Sequence, residues 1–317
     1  MRSQTVTPDI PFKPAFGLSS GHLQTILGNL RFRRFSILKE RCEERIFQPA
    51  PDVRILGFCH WQGSDTGKRQ TVVLVHGLEG SAEASYVLGT ASKAFAAGFN
   101  VVRLNVRNCG GTEHMTPHLY HSGLTSDLDF VVKELSGDSR ISSLTLIGFS
   151  MGGNQILKLG GEWHLNPPAI VAGICAVSPP IDLAACSRAI GSTQNRLYEY
   201  RFLRSLKAKV RRKELLFPDR YDASKVDKVS TMWDFDDVMA PHYGFRDAQN
   251  YYECSSAIGF LHQVRIPALI IQAQDDPFIP FDAFRTEPVS ANAWITLLAP
   301  TGGGHVSFCD SIRRKAH

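Results

Sequence analysis

Residues 144–154 read Leu-Thr-Leu-Ile-Gly-Phe-Ser-Met-Gly-Gly-Asn. A short apolar run leads into Gly148-x-Ser150-x-Gly152, and a stretch through Gln155, Ile156, Leu157 and Lys158 that suits a helix follows. Few patterns constrain a fold so tightly. A strand ending at Ile147 has to reverse into a helix opening near Met151, which leaves Ser150 at the apex in strained backbone geometry. Side chains at positions 148 and 152 would strike the neighbouring chain, so glycine stands at both. The hydroxyl of Ser150 is thereby pushed out where another molecule can meet it. Five-residue matches of this kind also arise by chance, so the flanks and the partners elsewhere in the chain carry the weight.

The rest of the chain supplies a matching framework. Glu43 to Phe47 and Val53 to Trp61 are strand-like and separated by Gln-Pro-Ala-Pro-Asp, which predicts an antiparallel hairpin at a sheet edge. Thr71 to His76, Phe99 to Leu104, Ser143 to Phe149, Ala169 to Val177, Ile266 to Gln272 and Ala293 to Leu298 are short apolar runs, as expected for strands covered on both faces. Helical patterns over Tyr86 to Ala97, Gly123 to Leu135 and Asn154 to Glu162 lie between several of them. Such alternation predicts a mostly parallel central sheet with helices on both faces. Residues 8–35, rich in proline, glycine and basic residues, predict a leading segment with one short helix packed on the main domain.

Residues 182–256 break the rhythm. They are polar, aromatic and long, and read as a lid or cap inserted between two strands, overhanging the crevice at the strands' carboxyl ends. The expected organisation is therefore a leading segment and first part of the core in residues 1–181, the insertion in 182–256, and the second part of the core in 257–317.

A serine hydroxyl is a poor nucleophile until a positioned imidazole takes its proton, and the imidazole in turn needs a carboxylate to orient it. Asp275-Asp276-Pro277 follows one predicted strand, and Gly302-Gly303-Gly304-His305 follows the next. His305 is thus the expected base, with Asp275 or Asp276 as the acid. The plain alternatives are a turn with a surface histidine and a turn-forming Asp-Pro pair. Among the other histidines, His121 and His242 are the rivals worth testing. A negative charge developing on a substrate oxygen needs donors too. His76-Gly77-Leu78-Glu79-Gly80 after a strand offers the backbone N–H of Leu78, and the N–H of Met151 adds a helix N-terminus.

Composition narrows the field. A net charge of +5 over 317 residues, with basic residues mostly dispersed, does not imply nucleic acid. Seven cysteines without a CxxC pair fit a reducing, cytoplasmic setting rather than a disulfide scaffold. Neither GxGxxG nor GxxxxGK[ST] occurs and no spaced ligand set appears, so no cofactor and no metal are expected. Cys109, in a glycine loop, reads as a buried thiol. There is no run of about 18 apolar residues.

With these residues assembled, the chain resembles the α/β-hydrolases and, more narrowly, their YheT-like group, type 4 of the AB hydrolase superfamily. The resemblance rests on His22-Leu23-Gln24-Thr25, His76 to Gly80, Asn105-Val106-Arg107-Asn108-Cys109-Gly110-Gly111, Tyr120-His121-Ser122-Gly123, Gly148 to Asn154, Asp275 to Phe278 and Gly304-His305-Val306. It implies the α/β-hydrolase fold, the chain order Ser, Asp, His, and Asp276 as the acid, since the superfamily's loop runs Asp-x-x-x-Pro and Pro280 fits it. It also implies a serine hydrolase, with membrane-anchored relatives acting on phospholipid or acylglycerol esters. Two departures stand out. Arg107-Asn108-Cys109-Gly110-Gly111 replaces the usual Arg-Gly-Cys-Ser-Gly, and the sequence ends at His317, where the fold would carry a final helix over one sheet face. Apolar surface would then be left bare.

The expected activity is cleavage of a small-molecule carboxylic ester through an acyl-enzyme. An acyltransferase, thioesterase or peptidase on the same residues, or a non-catalytic binding protein of the same fold, is the alternative. One stretch points elsewhere. In Tyr200 to Leu215, Phe202, Leu203, Leu206 and Val210 recur at helical spacing among Arg201, Arg204, Lys207, Lys209, Arg211, Arg212 and Lys213. This pattern suits weak contact with an anionic membrane surface, or else an ordinary lid helix with its stripe on the core.

Overall fold

The computed structural model describes residues 12–30, 35–63 and 67–309. The basic tail from Arg313 lies outside them.

Eight strands among the described residues form one sheet: β1 (Glu43–Ala50), β2 (Val53–His60), β3 (Arg69–Val75), β4 (Asn100–Leu104), β5 (Ile141–Phe149), β6 (Val171–Val177), β7 (Ala268–Ile271) and β8 (Ile295–Leu298). Their order is β1-β2-β4-β3-β5-β6-β7-β8. β1 and β2 form the expected antiparallel edge hairpin, β2 runs antiparallel to β4, and every other pairing is parallel. The inner strands are Val-, Ile- and Leu-rich because both their faces are covered; all five residues of β4 are buried.

Helices α1 (Gly21–Leu30), α2 (Ser85–Ala96), α3 (Ser126–Ser136) and α4 (Met151–Glu162) come before β6, and α10 (Glu287–Ser290) comes late in the chain. Between β6 and β7 lie α5 (Leu183–Ile190), α6 (Arg196–Leu216), α7 (Ser224–Asp227), α8 (Met232–Met239) and α9 (Ala248–Ser255). Asp182, Thr231 and Asp247 cap α5, α8 and α9 by accepting a backbone N–H three residues on. Leu203, Leu206 and Val210 of α6 join Met232, Phe235 and Met239 of α8 in a small apolar core separate from that of the sheet.

The sheet order places the site. β3 has β4 on one side and β5 on the other, so the chain leaves the carboxyl ends of β3 and β5 in opposite directions and opens a crevice between them. Gly77 follows one of these ends and Ser150 the other. Among the described residues no helix is long and apolar enough to cross a membrane.

Candidate active site

At the end of β5 the chain turns through Ser150 at φ 50°, ψ −121°, in the left-handed region that a serine seldom occupies. The strain is held by close packing on both sides. A Cβ at Gly148 would lie 2.3 Å from the Gly152 carbonyl oxygen, and one at Gly152 would lie 2.6 Å from the carbonyl oxygens of Val75 and His76. Glycine at both positions lets α4 sit against the end of β3.

His305 Nε2 lies 2.9 Å from Ser150 Oγ, and its Nδ1 lies 2.8 Å from Asp276 Oδ2. The carboxylate can only accept, so Nδ1 carries the ring proton and Nε2 is free to accept from the serine hydroxyl. Asp276 is fixed in turn: Oδ1 accepts from the backbone N–H of Phe278 at 2.9 Å and of Ile279 at 3.3 Å. Its side chain is fully buried, and the Phe278 ring packs edge-on to the imidazole at 4.8 Å. Asp275 does something else, accepting from Gly304 N–H at 2.9 Å and so bracing the loop that presents His305.

The turn after β3 completes the group. His76, wholly buried, donates from Nδ1 to the Gly77 carbonyl at 2.7 Å and accepts at Nε2 from Val106 N–H at 3.1 Å. Burial lowers its pKa to about 4, which keeps the ring neutral and both bonds intact. Glu79 adopts φ 55°. Its N–H donates to Tyr120 Oη at 3.2 Å, and that hydroxyl donates to Glu79 Oε1 at 2.6 Å. Between them, the N–H of Leu78 has no acceptor among the described residues, and neither has that of Met151. Leu78, Ser150, Met151 and His305 line one cavity of about 90 Å³, roofed by residues of α5, α6, α8 and α9. Much of the lining is apolar, with Leu183, Ile190, Phe202, Met232 and Ile279 in it.

The structure thus brings Ser150, Asp276, His305, Leu78 and Met151 to one place and leaves the rivals away from it. His121 is packed among Tyr243, Phe245 and Tyr251, and burial drives its pKa down to about 3. His242 stacks on Tyr221. Burial pushes the Cys109 thiol up to about 12, so no thiolate competes with Ser150.

Two supporting residues carried no chemical signal in the sequence. Thr25 Oγ1 accepts from the His305 N–H at 2.9 Å while donating to the Gly21 carbonyl, and Gln24 Oε1 accepts from Cys309 N–H at 3.1 Å. Helix α1 therefore buttresses the histidine loop from nearly three hundred residues away in the chain, a contact no local pattern announces. Glu79 anchors the turn after β3 to α6: Lys209 Nζ and Ser205 Oγ both reach its carboxylate.

The basic helix packs part of its apolar stripe inside. Leu203, Leu206 and Val210 are buried, and Phe202, half-buried, lines the cavity of Ser150. Lys209 and Lys213 also turn inward, Lys213 Nζ donating to the carbonyls of Glu113 and Thr116, while Arg212 pairs with Glu113 and Arg211 with Asp227. The i, i+3, i+4 spacing says that a helix has an apolar face and does not say which way that face points.

A model of the alpha/beta hydrolase fold family matches residues 70–308. YheT of Escherichia coli (strain K12), whose name records a candidate esterase, is 31% identical over 300 residues, covering 94% of this chain and 86% of that protein. Phospholipase ABHD3 of Mus musculus is 29% identical over 250 residues, 78% of this chain but only 60% of that longer protein. Among solved structures, the esterase Pf2001 of Pyrococcus furiosus superposes with a TM-score of 0.57 at 17% identity, over 87% of this chain and 89% of that one, a likeness of fold.

Proposed function

Because this chain belongs to the α/β-hydrolase fold family, in its YheT-like group, we propose that it is a serine hydrolase that cleaves carboxylic esters through an acyl-enzyme. The observation that carries this reading is the unbroken chain of hydrogen bonds from Ser150 Oγ through His305 to Asp276. Ser150 attacks the ester carbonyl while its proton passes to His305 Nε2. Asp276 steadies the resulting imidazolium, and the negative oxygen of the tetrahedral intermediate is met by the N–H groups of Leu78 and Met151. The alcohol leaves with the proton from His305, and acyl-Ser150 remains. Water, losing a proton to His305, then releases the acid and restores the serine.

The helices between β6 and β7 act as a lid over this chemistry, a reading supported by their residues in the cavity wall facing Ser150. A volume of about 90 Å³ suits a short acyl group; one water molecule takes about 30 Å³ of liquid. The unpaired state of all seven cysteines supports a cytoplasmic setting.

An active-site fluorophosphonate tests the assignment. Labelling of the wild type that disappears in Ser150→Ala is the expected result, whereas failure of the well-folded wild type to label would favour a binding protein on this fold.

A further inference from the structure

Asp236 lines the cavity of Ser150, yet the reaction described above has no use for it. It stands on α8, with the aromatic rings of Tyr251 and Tyr252 beside it in the wall. Its Oδ2 accepts from the Tyr252 hydroxyl at 2.6 Å, and that hydroxyl, 3.0 Å from Ser187 Oγ, accepts in turn from Ser187. Ser187 also lines the cavity. The relay ends there: no described residue donates to Oδ1, and no Lys, Arg or His pairs with the carboxyl.

A pocket meant only for an alkyl chain has no need of such a group. A half-buried carboxyl set in a mostly apolar wall with no counter-charge costs free energy, and its charged form costs most. Burial pushes the pKa of Asp236 up to about 7, the direction expected of a carboxyl lacking a counter-charge. Tyr252 and Ser187 are spent in orienting Oδ2, which leaves Oδ1 as an acceptor, on a residue that lines both the cavity of Ser150 and a smaller one beside it. Pockets of this kind owe their specificity to a few placed polar groups in an apolar lining.

We infer that Asp236 Oδ1 receives a hydrogen bond from a hydroxyl or amino group of the substrate, so the ester this site takes carries an O–H or N–H donor rather than a plain alkyl chain. The inference rests on Ser150 being the nucleophile. It makes Asp236 a specificity residue, with Tyr252 and Ser187 positioning it.

The test compares kcat/KM for size-matched small esters on both sides of the ester link. Methyl butanoate is set against methyl 3-hydroxybutanoate and methyl 3-aminobutanoate, and propyl butanoate against 2-hydroxyethyl and 2-aminoethyl butanoate. Wild type should favour a substituted ester over its plain counterpart by at least about tenfold; sites built to bond a substrate O–H or N–H discriminate far more strongly than that. In Asp236→Leu the ratio should fall to near one. Asp236→Asn removes the negative charge but keeps an accepting oxygen, so a preference for the amino ester, protonated at neutral pH, should fall more than one for the hydroxy ester. Fluorophosphonate labelling of each variant reports a folded site, and if Asp236→Leu does not label, the wild-type panel and Asp236→Asn decide. A wild type that prefers plain esters, or a preference untouched in both variants, overturns the inference. Absence of labelling and of all hydrolysis in wild type would instead strike at the nucleophile itself.

Discussion

Lys209 Nζ of α6 sits 3.0 Å from Glu79 Oε1 in the turn after β3, with side-chain exposures of 8% and 11%. This pair ties the helices between β6 and β7 to the loop that presents the Leu78 N–H. Removing one partner strands the other, so Lys209→Met should cost about 3–5 kcal/mol of stability. The double variant Glu79→Gln, Lys209→Met should recover most of it, because neither charge is then left unpaired. Urea unfolding of the four proteins checks this, and a Lys209→Met variant as stable as wild type would contradict it.

The hydrogen bond from His305 Nδ1 to Asp276 sets the imidazole's tautomer. Asp276→Asn puts an amide where an acceptor is required and should lower kcat by about 10⁴-fold, against about 10⁶-fold for Ser150→Ala. Leu78→Ala should matter far less, since the donor at that position belongs to the main chain. Steady-state kinetics on one activated ester ranks the three; a rate for Asp276→Asn within tenfold of wild type would remove Asp276 from its role.

Close packing at the Ser150 turn makes its glycines irreplaceable. In Gly152→Ala the new methyl would meet the carbonyl oxygens of Val75 and His76, which are backbone and cannot swing aside. A loss of at least about 1–3 kcal/mol is expected, together with weakened fluorophosphonate labelling as Ser150 shifts. Thermal unfolding and labelling of one sample measure both effects.

His76 gives the protein an acid limit. Its folded pKa, about 4, lies below the ordinary 6.5, so the unfolded chain binds the proton more readily than the folded one. Stability from this residue is present above about pH 6.5 and is lost as pH falls toward 4, by about 3 kcal/mol at the lower end. The physical event is loss of the Val106 N–H bond when Nε2 is protonated. Unfolding free energies measured across this range should fall more steeply in wild type than in His76→Asn, and parallel curves would refute the assignment.

The hairpin of β1 and β2, the parallel strands and the turn at Ser150 were all legible because each is written in local periodicity and in glycine at fixed offsets. Asp276 was harder. Two adjacent acids look alike in a sequence, and only the direction of each side chain sends one to His305 and the other to the Gly304 N–H. Thr25 and Gln24 had no legible role at all, since their partners, the His305 and Cys309 N–H groups, lie at the far end of the chain.

Taken alone, the sequence determined the order of elements, the strained serine and the presence of a histidine and an aspartate at strand ends, because those follow from short-range sterics and pattern. Only the tertiary structure decided that the stripe of α6 faces inward, that Lys209 spends its charge on Glu79, and that Asp236 opens on the cavity of Ser150. Burial and the pairing of charge depend on which surfaces meet, and that is settled by packing between elements far apart in the chain.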